Sequence, residues 1–235
     1  MKFLDLTPRD PAANLALDEA LLDACEAEDS EEILRFWEPQ NYFVVVGYAN
    51  KIDLEVNRAV CEANQVPIFR RCSGGGTVLQ GQGCLNYSLI LKITPELQGI
   101  PQTNTFIMER NREALQRTSG QSMNIRGHTD LALNDVKFSG NAQRRKKNYL
   151  IFHGTFLLNF DLPLIEKLLR FPSKQPDYRH DRPHQQFLTN LNLPAEAVKC
   201  GLKSIWNAHE PMEIVPDFQQ LTVEKYQTDA WNLKF

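Results

Sequence analysis

From Asn14 to Ala27, residues Leu15, Leu17, Ala20, Leu21, Leu22 and Ala24 form one apolar stripe, with Asp18, Glu19, Asp23 and Glu26 mostly on the other face. This spacing predicts an amphipathic helix, with Asp10 and Pro11 as its N-cap and first residue. Glu32 to Trp37 alternates as a strand does. Tyr42 to Val46 (YFVVV) is a continuous apolar run of the kind buried on both faces, and Gly47 ends it. A short helix is expected over Asp53–Asn64, then strands over Val66–Phe69 and Asn86–Ile93. A linker punctuated by Pro and Gly, Thr94 to Pro101, leads into a second amphipathic helix, Thr105–Arg117, with Phe106, Ile107, Ala114 and Leu115 facing inward.

The pattern then changes. Asp130–Leu133 and Val136–Gly140 read as two strands joined at Asn134-Asp135, a hairpin. Tyr149–Phe160 (YLIFHGTFLLNF) is an apolar strand with His153-Gly154-Thr155 in its middle. Helical turns are expected at Leu164–Leu169, Gln185–Leu191, Pro194–Trp206 and Gln219–Tyr226, whereas Phe171–His184 is rich in Pro, Arg, His and Asp. Together these elements predict one α/β domain over residues 1–235, with 166–235 a small helical appendage.

Composition narrows the class. The 235 residues are 42% hydrophobic and 23% charged with a net charge of -3, which suits a soluble globular protein and argues against a general nucleic-acid binder. The one basic run, Arg144-Arg145-Lys146-Lys147, reads as a solvated turn or as a contact for an acidic partner or a phosphate. Five cysteines, an odd number without CxxC spacing, argue against a disulfide framework or a zinc site and suit a reducing, cytoplasmic setting. No stretch approaches 18 apolar residues and Met1–Asp5 lacks a signal-peptide core, so no membrane association is expected.

The candidate chemistry begins at Arg70–Val78 (RRCSGGGTV). Three glycines between two predicted strands leave backbone N–H groups free to wrap an anion, and the arginines add charge suited to carboxylate or phosphate. Lys137 alternates within its strand and precedes Ser139-Gly140-Asn141-Ala142-Gln143, small and hydrogen-bonding residues that suit a pocket floor. It reads either as an edge-strand gatekeeper or as a compact charge for a carboxylate or an adenylate phosphate. His153 reads as a satisfied core histidine or a site residue, and Asp130 as a turn cap or a metal or ribose ligand. Cys72 and Cys84 lie near the glycine loop, where buried structural thiols are the commoner outcome. The Arg179, His180, Arg182 and His184 group suits either an anion site or a solvated loop.

Taken together, RRCSGGGTV, Asp130-Leu131, Lys137–Gln143 (KFSGNAQ), His153-Gly154-Thr155 and the opening NLALDEALL resemble the lipoate-protein ligase A family, a biotin/lipoate ligase catalytic domain, over residues 1–165. The resemblance implies a mixed, largely antiparallel sheet flanked by helices, like that of class II aminoacyl-tRNA synthetases and biotin synthetases. It also implies activation of lipoate or octanoate by ATP with Mg²⁺ and transfer of the acyl group to a lysine of an apo lipoyl domain. Such acceptors are the 2-oxoacid dehydrogenase E2 and the glycine cleavage H protein. Carried over by position, Lys137 is the catalytic residue. Arg70, Ser73, Gly74, Gly75, Gly76, Thr77, Asp130, Gly140, Ala142 and His153 bind the acyl-adenylate, and no metal ligands are assigned. Three departures stand out. Gln80 occupies the place of a histidine usual in the ligases. The length leaves little room for their C-terminal accessory domain, so a separate accessory subunit is an expectation. Related octanoyltransferases act through a cysteine, and none lies between Leu85 and Lys137. An ATP-independent octanoyl or lipoyl transferase and a non-catalytic lipoyl-binding protein are the alternative readings.

Overall fold

The computed structural model describes residues 1–235. Its strands are β1 (Lys2–Asp5), β2 (Ile33–Trp37), β3 (Phe43–Val46), β4 (Ile68–Arg70), β5 (Val78–Gln80), β6 (Cys84–Lys92), β7 (Asn124–Arg126), β8 (Asp130–Leu133), β9 (Val136–Arg145), β10 (Tyr149–Leu157) and β11 (Glu210–Pro211). Eight form one sheet in the order β11-β1-β2-β6-β10-β9-β8-β7, and β4-β3-β5 form a small second sheet. Only the β1–β2, β1–β11 and β3–β4 pairs are parallel, so the architecture is mixed and largely antiparallel. Helices α1 (Pro11–Glu28), α2 (Ile52–Glu55), α3 (Arg58–Ala63) and α4 (Ile100–Ser119) precede the β8–β9 hairpin. After it come α5 (Leu162–Leu168), α6 (His184–Phe187), α7 (Ala195–Ile205), α8 (Gln219–Leu221) and α9 (Asp229–Asn232).

Strand alternation sorts the side chains into two layers. Leu34 and Phe36 of β2, Tyr87, Leu89 and Leu91 of β6, and Leu150, Phe152 and Phe156 of β10 share one core with Ile107, Met108 and Leu115 of α4 and with Val198 and Leu202 of α7. On the other face Ile33, Ile90 and Ile151 pack against Leu17, Leu21, Leu22 and Cys25 of α1. Full burial of each such side chain is worth about 1.5–3 kcal/mol. Two-sided cover explains why the central strands read as apolar runs.

Local signals hold where the chemistry is local. Asp10 accepts from the Ala12 N–H at 2.9 Å and Pro11 opens α1. Asn134 and Asp135 take φ of 47° and 63°, the left-handed pair a two-residue hairpin requires. Differences arise where tertiary contacts decide. The helix expected over 53–64 is two pieces, because the backbone at Val56 and Asn57 pairs with Leu169 and Leu168. The linker before the second helix is partly helical, with Pro101 in the first turn where a missing N–H costs nothing. Strands β1, β5 and β7 are too short to carry a readable alternation. The helix expected over 185–191 stops at Phe187, since the Thr189 N–H goes to the Lys137 carbonyl at 2.9 Å.

The basic run is a turn only at its end, where Lys147 is exposed. Arg144 and Arg145 continue β9; Arg144 pairs with Glu19 at 2.6 Å, Arg145 donates to the Leu97 carbonyl at 2.6 Å, and Lys146 pairs with Asp23 at 2.6 Å. Residues after 165 return to both faces: α7 packs on α4, β11 pairs with β1, and buried Tyr226 donates to Glu19 at 2.7 Å. No helix is long and apolar enough to cross a membrane.

Candidate active site

Register builds the site. Arg35 of β2 is paired with Ser88 of β6, Ser88 with His153 of β10, and His153 with Ala142 of β9; one step along, the row is Trp37, Asn86, Thr155, Gly140. Both rows face α1. Between them, the N-terminal part of α1 and the chain after β4 lies a cleft of about 190 Å³. Leu15, Val45, Val78 and Trp37 give it an apolar wall, and Arg71, Lys137 and Asp130 give it charge.

Arg71 shapes the glycine loop. Its guanidinium donates to the Gly74 carbonyl at 2.5 Å, the Gly76 carbonyl at 2.7 Å and Ser73 Oγ at 3.0 Å. In a trans peptide the following N–H points opposite to the carbonyl, so the Gly75 and Thr77 N–H groups turn away from Arg71, and neither donates to a protein atom. Gly75 sits at φ +86°, and a Cβ on Gly47 would stand 2.1 Å from the Gly75 carbonyl oxygen, so the two segments touch only as glycines. Burial pushes Arg71 down to about 10, still charged at neutral pH.

Behind the loop runs a chain of hydrogen bonds. Ser73 Oγ lies 2.6 Å from His153 Nε2, and His153 Nδ1 lies 3.1 Å from Asp18 Oδ2. Because the Asp18 carboxylate can only accept, Nδ1–H donates to it, and the neutral ring's Nε2 then accepts from the Ser73 hydroxyl. Asp18 also accepts from Ser88 at 2.8 Å and pairs with Arg35 at 2.5 Å, and both Asp18 and Arg35 are buried. Burial alone would raise the Asp18 carboxyl. The Arg35 charge and the His153 and Ser88 contacts outweigh it and leave the pKa lowered.

Lys137 emerges on the cleft wall, with Nζ 2.8 Å from Asp130 Oδ1. The edge-gatekeeper alternative does not hold, since β8 and β7 continue the sheet beyond β9. Gln80, Asn86 and Thr155 form a closed amide and hydroxyl network on the floor, with Gln80 Nε2 2.8 Å from Asn86 Oδ1 and 2.7 Å from Thr155 Oγ1.

The expected site residues are therefore divided. Lys137, Gly76, Thr77, Asp130, Gly140, Ala142 and His153 line the cleft. Gly74 and Gly75 are exposed on the loop, and Ser73 is buried behind it. Arg70 lies outside the cleft lining: it is buried and donates to the Gly47, Tyr48 and Asn50 carbonyls at 2.9, 3.0 and 2.9 Å. As the last residue of β4, Arg70 alternates away from the cleft, and Arg71 takes the inward place. Cys72 and Cys84 are buried, with burial raising both thiols, and no cysteine lines the cleft. In the second basic group Arg179, against the Phe171 and Phe187 rings, and His184 are buried, whereas His180 is exposed. Asp18, Arg35, Ser88 and Asn86 were legible in sequence only as members of a helix or strand, since their convergence depends on register.

A family model described as the lipoyl protein ligase A/B catalytic domain matches residues 10–198, and the chain belongs to that family. It is 30% identical to lipoate–protein ligase 1 of Staphylococcus aureus, over 99% of this chain and 73% of the relative. It is 27% identical to the octanoyltransferase LipM of Halalkalibacterium halodurans, over 99% of this chain and 98% of the relative. Among solved structures, a bipartite lipoate protein ligase from Thermoplasma acidophilum, described with its E2 lipoyl domain, shares the fold at a TM-score of 0.85 and 21% identity, covering 99% of this chain and 95% of that one. A lipoate-protein ligase A bound with ATP superposes at 0.82 and 22% identity, covering 99% and 98%.

Proposed function

We propose that this enzyme of lipoyl or octanoyl transfer is an acyl-adenylate-forming lipoate–protein ligase. The observation that carries the reading is Lys137 facing a glycine loop with free N–H groups across a cleft that has no thiol on its wall. The cleft's apolar side suits a medium-chain acyl tail. A carboxylate oxygen attacks the α-phosphorus of ATP, the bond to the β-phosphate breaks and pyrophosphate leaves. The loop N–H groups and the Lys137 ammonium offset the negative charge that develops. In the second half-reaction a lysine amine of a lipoyl domain, of a 2-oxoacid dehydrogenase E2 or a glycine cleavage H protein, attacks the acyl carbonyl. AMP leaves and the amine's proton passes to it or to solvent.

Both Asp130 oxygens and the Asp18 carboxylate are engaged by protein donors, and no cluster of three ligating side chains exists. The chain itself is therefore no cage for Mg²⁺, and the ion would enter as the nucleotide's counter-ion.

The second reading, an octanoyl or lipoyl transferase acting without ATP, is favoured by the match to LipM over the length of both chains. ATP–pyrophosphate exchange with lipoate, and octanoate in parallel, separates the two. Acid-dependent exchange supports the ligase. Absence of exchange in folded protein, with transfer from an acyl-carrier donor, replaces it with the transferase. Need for an added accessory subunit is tested in the same assay.

A further inference from the structure

The segment between α5 and α7 has no apolar periodicity, yet it is fastened to the hairpin that carries Lys137. Tyr178, in a 3₁₀ turn over Asp177–Arg179, donates its hydroxyl to Asp130 Oδ2 at 2.8 Å. The other oxygen of the same carboxylate, Oδ1, holds Lys137 Nζ at 2.8 Å. Arg182 ties the turn down, donating to the Tyr178 carbonyl at 2.8 Å and the Asp135 carbonyl at 3.0 Å, and the Tyr178 ring packs on Phe187 at 5.1 Å. Gly140 completes the arrangement. A Cβ there would stand 2.8 Å from Lys137 Nζ and 2.9 Å from Cε, so the lysine lies across bare backbone.

We propose that Tyr178 is a positioning residue for Lys137, acting through Asp130. The phenol anchors one carboxylate oxygen and so fixes the plane in which the other meets the lysine. Lys137 is thereby held through one carboxylate contact, with its Nζ beside the Gly140 backbone on the cleft wall. An unrestrained carboxylate takes the ammonium on both oxygens or rotates with it, and the lysine's aim is lost. Burial and the Asp130 charge raise the Tyr178 phenol, so it remains a donor across the physiological range.

This inference rests on the reading of Lys137 as the charge-stabilising residue, and the test separates the two. Tyr178→Phe keeps the ring on Phe187 and removes only the hydroxyl. It is expected to lower kcat for acyl transfer by tenfold or more, with KM for lipoate changed less than about twofold, and to move the ¹⁵N signal of the Lys137 ammonium in ligand-free protein. Should that variant not fold, Asp130→Asn keeps an acceptor for Tyr178 but removes the lysine's partner, and the same kcat loss and signal shift are expected. An inactive Lys137→Ala beside a Tyr178→Phe with normal kcat and an unmoved Lys137 signal overturns the positioning role alone. A fully active Lys137→Ala overturns the role of Lys137, and the inference with it.

Discussion

At the residue scale, neighbours in sequence do different work. Arg70 and Arg71 look equivalent as a pair, but one ends a strand among backbone carbonyls and the other holds the glycine loop open. Arg70→Met is expected to cost roughly 3 kcal/mol or more, because several buried carbonyls lose a charged donor, with lipoate affinity preserved in the folded fraction. Arg71→Met is expected to keep most of the melting temperature and lose lipoyl-AMP affinity; calorimetric titration beside thermal melts compares them. Lys137→Ala should abolish turnover while the melting temperature moves little, since its ammonium is partly solvated and its partner Asp130 keeps Tyr178. The pair Asp18 and Arg35 behaves as a unit. Removing Arg35 alone (Arg35→Met) strands a buried carboxylate and should cost about 3–5 kcal/mol, and adding Asp18→Asn should recover part of that loss in a double-mutant cycle of urea denaturation.

At the scale of elements, the glycine loop was legible as a backbone device, because three consecutive glycines have few other uses. What it touches was not. Its seat against Gly47, the residue just after β3, follows from the small sheet's mixed pairing, and Gly47→Ala should push Gly75 away. The expected outcome is a higher KM for lipoate with a fold still cooperative by thermal melt; an unchanged KM would show that the loop tolerates the shift. Strand β10 illustrates the same division. Its apolar run with His153 in the middle announced a buried strand. Whether His153 was core or site depended on the residue opposite it in β6 and on α1 above. The basic run divides for a related reason: Arg144 and Lys146 meet Glu19 and Asp23, more than a hundred residues earlier, while Lys147 stays exposed.

At the scale of the whole molecule, acid should weaken the fold in two stages. Burial, and then the Arg179 charge, push His184 from 6.5 down to about 4. Its neutral form is fully compatible with the fold above pH 6.5. As pH falls from there toward 4 the unfolded chain takes up a proton the fold resists, a loss of roughly 3 kcal/mol at the limit. The lowered carboxyls of Asp18 and Glu19 act below that window, where their pairs are lost on protonation. Urea midpoints at about pH 7.5 and about pH 5 should therefore differ in the native chain and differ less in His184→Gln. The sequence by itself determined the helices and strands of strong period, the tight hairpin, the glycine loop and, through ordered motifs, the family. These depend on spacing along the chain and on local conformational preference. Only the tertiary structure decided which arginine faces the cleft, that Asp18 and Arg35 stand behind His153, and that Tyr178 reaches Asp130. Those facts depend on strand register and on contacts across the fold, where a one-residue shift turns every side chain to the other face.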